Sequence, residues 1–390
     1  FPKKSMPRLV VIIDEFQLMF GDDMTFGQQM VDLREKSVRL FRAAGIHFIL
    51  ASQSISGNMV LQNKKDSLFS QIPIRISHKN SLSESHNTLG MGNDAAAYLR
   101  AREAIVNLDY GEISQNKKTV IAWANEEVLG PLRKKWYQSK ERDRPPYIFE
   151  SDKKIEIKTI FDSVPKNSAA SAFLGEKISI RGEMVSILLN SESGKNIAIL
   201  GSPNEKNNAA EGLIEAIMVS CAQTSKNPHF YICDFRDKEA PLSTKLPQFE
   251  ELLKKRNIQY EDIQRDKFIK KAAELLANPK ENTYVFGLNM DKLPYEKDPY
   301  GLNHPLKEFV EEGPNNGIHF IGWWTKAAKF NEQAPKEAFN TKIFLRIDEA
   351  SVRSLTNPFV KWNGADNRAL VSDEVELSEE IVFIPYSPIK

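Results

Sequence analysis

The stretch LVVIIDEFQ, residues 9–17, decides how this chain is read. Its first five residues are aliphatic, and four of them are β-branched. A run of this kind is the signature of a strand buried in a parallel sheet. It ends in two adjacent carboxylates, Asp14 and Glu15. Further along, a charged helical stretch over about 24–44 carries apolar Met30, Leu33, Val38, Leu40 and Phe41 and stops at Gly45. IHFILAS (46–52) reads as the next strand, and IPIRISHK (72–79) as another, followed by a helical SLSESHNTLG. REAIVNLDYGE and KKTVIAW (117–123) read as a closing hairpin. Strands alternating with helices predict an α/β fold with a mainly parallel sheet.

The 390 residues suffice for two or three domains. A hydrophobic content of 41% and a charged content of 27% are those of an ordinary globular protein. A net charge of +1 gives no global pull toward nucleic acid, although a local basic stripe is compatible with it. Cys221 and Cys233 stand in apolar contexts with no metal-ligand spacing, which predicts a reducing compartment. No stretch approaches the ~20 apolar residues of a membrane span, and no signal peptide is present. The chain opens on Phe1 and reaches the acidic strand at once, so it reads as part of a larger protein. Any membrane anchor would then lie in upstream segments.

Residues 131–165 are rich in charge and proline and are expected to be a linker, with the RPP segment extended. Its basic run RKKWYQSKER (133–142) reads as a solvated helix or linker, with phosphate contact through interleaved Trp136 and Tyr137 as the alternative. A second unit follows. Strands are expected at HFYICDF (229–235), NTYVFGLNM (282–290) and GIHFIGWW (317–324). The two halves can be superposed. RLVVIIDEFQLMF (8–20) parallels NTYVFGLNMDKLP (282–294), AGIHFILASQSIS (44–56) parallels NGIHFIGWWTKAA (316–328), and IPIRISHKNSLSESHNTL (72–89) parallels TKIFLRIDEASVRSLTNP (341–358). Three blocks in one order indicate a tandem duplication whose first copy lacks its front half.

In nucleotide hydrolysis by P-loop proteins a glycine-rich turn wraps backbone N–H groups around the phosphates. A Lys reaches the outer phosphates and a Ser or Thr holds Mg²⁺. The carboxylate ending a neighbouring strand completes the metal shell, and a second one polarises the attacking water. Asp14 and Glu15 fit those two roles. Taken alone, the same pair is also how a solvated helix begins.

The combination VVIIDEF…RAAGIHFILASQSISG…IPIRISHKNSLSESHNTLG resembles the second half of a motor domain of the FtsK/SpoIIIE/HerA family, over about residues 8–124. The resemblance implies tandem RecA-like P-loop NTPase domains with mainly parallel sheets and ATP with Mg²⁺ as cofactors. It also implies hexameric rings with ATP sites between subunits. Residues 1–130 would be the second half of one ATPase domain, 131–165 a linker and 166–390 a degenerate domain. Asp14 would help bind Mg²⁺ through water, Glu15 would activate water and Gln53 would sense the γ-phosphate. Arg42 and Arg75 are candidates for the arginine that reaches a neighbour's ATP. The family's Asp-Ser-Arg appears as Glu84-Ser85-His86, which places His86 where the Arg would act.

The second copy departs further. In GSPNEKNNA (201–209) Gly201 is in place, but Lys206 occupies the second Gly position, Asn207 the Lys position and Asn208 the Ser/Thr position. Leu288 and Asn289 replace the acidic pair, and the Gln position has become Trp324 or a neighbour. This copy is expected to be catalytically dead, with weak nucleotide binding at Gly201 left open. Trp323, Trp324 and Phe330 are either aromatics that anchor a protein partner or the end of a core strand. The expected function is that of a cytoplasmic ATP-driven translocase of double-stranded DNA. A protein-translocating motor like the EssC/EccC group of type VII secretion and a non-enzymatic recruitment module are the alternatives.

Overall fold

The computed structural model describes residues 8–20, 45–55, 69–139, 148, 150, 153–157, 169–179, 182–202, 208–236, 259–296 and 303–388. By its contacts the chain falls into two compact units, residues 1–143 and 144–390.

The first unit contains β1 (Leu9–Ile13), β2 (Ile46–Leu50), β3 (Arg75–His78), α1 (Leu82–Leu89), β4 (Glu103–Asn107), β5 (Asn116–Val120) and α2 (Glu126–Gln138). The apolar run 9–13 pairs with β2 in parallel, Leu9 opposite Ile46 and Ile13 opposite Leu50. β3, β4 and β5 form a separate antiparallel sheet. Helix α1 starts where the Ser81 hydroxyl accepts the Glu84 N–H and ends at Gly90. The helix expected over 24–44 lies outside the described residues.

The expected linker is not uniform. Residues 131–138 complete α2, a helix with no buried residue, which carries residues 133–138 of the basic run. Further on, Ile155–Glu156 forms β6, an edge strand of the second unit paired with its last strand.

The second unit continues with β7 (Ser171–Lys177), β8 (Met184–Leu188), β9 (Ile197–Leu200), α3 (Ala209–Thr224), β10 (His229–Asp234), β11 (Gln259–Asp262) and α4 (Phe268–Ala277). Then come β12 (Thr283–Leu288), α5 (Lys307–Glu312), β13 (Ile318–Trp324), α6 (Ala327–Gln333), β14 (Thr341–Phe344), α7 (Glu349–Leu355), β15 (Ala369–Asp373) and β16 (Ile381–Ser387). One sheet runs β11-β10-β12-β13-β9-β14-β15-β16-β7-β8. It is parallel from β11 to β14 and antiparallel beyond. The central strands are wholly buried, as their unbroken apolar runs require.

Apolar layers cover both faces of this sheet. One packs α3 against Phe230, Phe286 and Trp323; the other gathers Phe320, Trp324, Phe330 and Phe339. Trp324 and Phe330 meet edge to face at 4.9 Å, and both are fully buried, while Trp323 is 3% exposed. These three aromatics are core, so the partner-anchor reading of them is corrected. Cys221 and Cys233 are buried and unbridged, and desolvation raises both thiol pKa values, that of Cys233 to about 12. Among the described residues no helix is long and apolar enough to cross a membrane.

The duplication is visible in the registers. Leu9 faces Ile46 in the first unit and Thr283 faces Ile318 in the second, the pairs that the sequence blocks align. Gly45 and Gly317, which open the GIHF strands, both have left-handed backbones, with φ of +73° and +72°. The third block aligns differently from the sequence reading. The caps Ser81 and Asp348 correspond, so Glu84 matches Ser351. In the second unit β9 runs between β13 and β14. In the first unit β2 and β3 are their counterparts, and among the described residues no strand joins them. The sheet is divided where the strand leading to the phosphate loop would run.

Gly212 shows how closely α3 lies on the sheet. A Cβ there would stand 2.0 Å from the Tyr386 carbonyl oxygen. Helix propensity alone would make Gly212→Ala stabilising. The collision reverses the sign, and chemical denaturation is expected to show a loss of about 1–3 kcal/mol.

Candidate functional site

β1 and β2 end side by side, and their last pairing is continued by Ala51 N–H to the Ile13 carbonyl at 2.9 Å. The Phe16 N–H then donates back to the Ala51 carbonyl at 3.1 Å. This zipper sets Asp14 and Glu15 beside the turn that carries Gln53, at the carboxyl ends of adjacent parallel strands, where open α/β sheets bind ligands. The Gln53 amide donates to one oxygen of Glu15. The Gln17 amide donates to the other. Gln17 belongs to the 3₁₀ turn Phe16–Phe20, anchored by buried Phe16 and Phe20.

The two amides hold Glu15 ionised. Its pKa lies below the ordinary glutamate value, lowered chiefly by Gln17 and, against an opposing desolvation, by Gln53. Asp14 is exposed, and one of its oxygens accepts the Glu15 N–H at 3.0 Å. Among the described residues no group of three His, Cys, Asp or Glu is gathered. A lone exposed carboxylate fits Mg²⁺, which keeps several waters and takes its other ligands from substrate phosphates.

Glu15 sits at φ +50°, a left-handed backbone that is costly for a long side chain. Its counterpart Asn289 has φ +55°, and Asn is among the few residues that tolerate this conformation. The residue matching Gln53 is Thr325. It donates its N–H and hydroxyl to Asp291, the counterpart of Gln17. A polar stitch between the two strand ends therefore persists in the second unit without a carboxylate at the position of Glu15.

The other expected residues fall elsewhere. Arg42 lies outside the described residues. Arg75 is half-buried, and its guanidinium donates to the carbonyls of Ile72 at 3.3 Å, Leu89 at 2.9 Å and Phe69 at 3.0 Å. In this arrangement Arg75 closes backbone around β3 and does not join Glu15. Ser85 donates to the Asn93 carbonyl, and His86 pairs with Asp94, so this part of the Glu-Ser-His run fastens α1 to the segment after it.

Gly201 marks the degenerate loop, whose residues 203–207 lie outside the described ones. It has φ +132°, and a Cβ there would meet the Arg346 backbone at 2.9 Å. Beyond the loop, Asn208 caps α3 and Glu211 occupies its first turn. Arg236 pairs with Glu211 and, at 2.8 Å, with Asp234. Burial opposes the charge of Arg236, but the hydrogen bond to Asp234 and the nearby carboxylates outweigh it and raise the guanidinium pKa. The first turn of α3 thus carries a carboxylate, which opposes an anion at that helix end.

No protein-family model matches the sequence, and no curated protein matches it. Among solved structures, the cytoplasmic domain of the Thermomonospora curvata type VII secretion ATPase EccC aligns over 98% of this chain and 48% of its own, at 16% identity and a TM-score of 0.59. The chain thus spans about half the length of that structure. ATPases 2 and 3 of EccC from the same organism, in complex with a signal sequence peptide, align over 98% of this chain and 68% of theirs, at 11% identity and a TM-score of 0.57. ATPases 2 and 3 of EssC from Geobacillus thermodenitrificans align over 99% and 72%, at 12% identity and a TM-score of 0.56. The chain has the fold of these paired ATPase domains. The fold is α/β, with one large, mostly parallel sheet in the second unit.

Two outcomes follow. In an NMR titration the Glu15 carboxyl is expected to titrate below the ordinary glutamate value and to move up toward it in Gln17→Leu. Its contribution to folding is complete above its unfolded-state pKa and is lost as pH falls through the lowered folded value. Glu15→Asn, which copies the second unit, is expected to raise stability by about 1 kcal/mol through relief of the left-handed backbone, read as a higher denaturation midpoint.

Proposed function

We propose that the first unit forms the acidic half of an ATP-hydrolysing site in an FtsK-like motor, and that the motor moves protein. The observation that carries this reading is the ionised Glu15 held between Gln17 and Gln53 at the ends of two parallel strands. The second of these strands, β2, borders the gap that β9 fills in the second unit. A strand, phosphate loop and helix from polypeptide other than residues 1–143 would fill that gap and bring the nucleotide to the carboxylates.

In this mechanism Glu15 takes the proton of the attacking water, a role suited to a carboxylate kept charged. Gln53, bonded to Glu15, orients the water and senses the γ-phosphate. Asp14 would hold Mg²⁺, which neutralises phosphate charge when bound. An arginine from a neighbouring subunit of a hexameric ring would complete the site. Arg42 remains the candidate, since Arg75 is committed to carbonyls. The second unit lacks both carboxylates and acts as a regulatory or substrate-binding domain.

The choice of protein over double-stranded DNA rests on two supports. The net charge is near zero, and the fold is shared with paired ATPase domains of which one was solved with a signal sequence peptide. Work on a cytoplasmic face, with any anchor upstream, accords with this reading.

The test is ATP hydrolysis by the full-length protein with and without double-stranded DNA. Glu15→Gln is expected to lower kcat by about 100-fold or more, and wild-type turnover is expected to be indifferent to DNA. Strong stimulation by DNA would transfer the assignment to DNA translocation. Hydrolysis that survives Glu15→Gln would sink the site itself.

A further inference from the structure

Gln53 is held from two sides. On one side β2 fixes it through the Ala51 bonds to β1. On the other, the next two residues are gripped by a side chain 29 positions or more away in sequence. The Ser54 hydroxyl donates to Glu84 Oε1 at 2.9 Å, and the Ile55 N–H donates to Glu84 Oε2 at 3.0 Å. Glu84 is 7% exposed and lies in the first turn of α1. Ile55 is buried with Phe16 and Phe20, the residues that anchor the turn bearing Gln17. The clamp therefore ties α1, beside the sheet β3-β4-β5, to the turn at the end of β2, across the place where the first unit's sheet is divided.

A buried carboxylate is costly unless its oxygens are satisfied. Serine or asparagine would cap or pack in the first turn of α1 without that cost. The second unit supplies the comparison. Its α7 has Ser351 where α1 has Glu84, and the Ser351 hydroxyl donates to its own cap Asp348 at 2.7 Å. The residues matching Ser54 and Ile55 are Lys326 and Ala327, which enter α6 directly. The carboxylate clamp is found in the unit that has Glu15 and is missing in the one that has Asn289.

We propose that Glu84 is a positioning residue for ATP hydrolysis, which rests on the site assigned above. By fixing Ser54 and Ile55, it holds the Gln53 amide on Glu15 and at the water that Glu15 deprotonates. It touches neither nucleotide nor water. Its loss is expected to misplace Gln53 by a fraction of an ångström to an ångström, enough to lower turnover by about 10- to 100-fold. The affinity for ATP is set by the phosphate loop and is expected to hold.

The experiment compares steady-state ATP hydrolysis of the full-length wild type with Glu84→Gln, Glu84→Asp, Ser54→Ala and Glu15→Gln, with backbone hydrogen exchange of residues 51–55 read in parallel. Glu84→Gln keeps the shape but turns an NH₂ toward a donor. It is expected to lower kcat about 10-fold or more at unchanged KM and to speed exchange over 51–55. Ser54→Ala, which removes one of the two bonds and spares the fold, is expected to lose less, and Glu84→Asp to recover part of the rate. A kcat in Glu84→Gln and Ser54→Ala equal to wild type, beside a dead Glu15→Gln, would overturn the positioning role and leave the ATP site standing. A rise in KM with kcat unchanged would also overturn it. Hydrolysis insensitive to Glu15→Gln would remove the site and the positioning role together.

Discussion

Both units depend on one constraint, the parallel register between the strand that leads into a left-handed turn, at Glu15 or Asn289, and the strand that begins with Ile-His-Phe. Backbone hydrogen bonds fix that register, so side chains beyond the two strand ends are brought together in both units. In the first unit Gln53 meets Glu15; in the second Thr325 meets Asp291. A slip of one residue would turn Gln53 to the opposite face of the sheet. The left-handed glycines at the start of both GIHF strands, Gly45 and Gly317, fix where pairing begins, and their carbonyls accept the first N–H of the neighbouring strands.

Much of this was legible in the sequence because it is carried by apolar runs. TYVFGL and IHFIGWW are strands buried on both faces. LVVII and IHFIL pair in parallel but leave Leu9, Val10, Ile12 and Ile49 exposed, so the expectation of a buried strand over 9–13 is corrected. The spacing of all four aligned the first two repeat blocks in the observed register. The third block set Ser81 against Ala350, two residues past the cap Asp348. Only the cap geometry of Ser81 and Asp348 fixes the correspondence. Polar residues, Gly175 and Pro385 interrupt the patterns of the antiparallel strands β7, β8, β15 and β16, so they gave little signal. The three carbonyls that Arg75 satisfies leave no mark in the sequence. Gln17 stood inside the opening stretch, but its approach to Glu15 depends on a 3₁₀ turn that the pattern does not encode.

The second unit shows what the same backbone carries when other side chains stand at these positions. Its strand ends are closed by Asp291 and Thr325, its helix end by Glu211 and Arg236, and its GIHF strand by a Trp pair packed into both faces of the core. Each replacement satisfies a group locally that an active site would leave directed at substrate. The Arg236 network is internally neutralised, so nothing there calls for an anion from solution.

The contrast between Glu15 and Asn289 states the same relation at one position. Both backbones are left-handed, at φ +50° and +55°. Asn accepts that conformation at little cost, whereas Glu accepts it only because Phe16, Phe20 and the paired strand ends over-determine the turn. A glutamate held in strain, charged, and bonded by two amides is a poor solution for stability alone. Asparagine on the same backbone shows that the fold has no need of it. The strain is therefore evidence about use: the turn is built to present a carboxylate at a fixed point between two strand ends, and the buried Glu84 keeps the second of those ends in place.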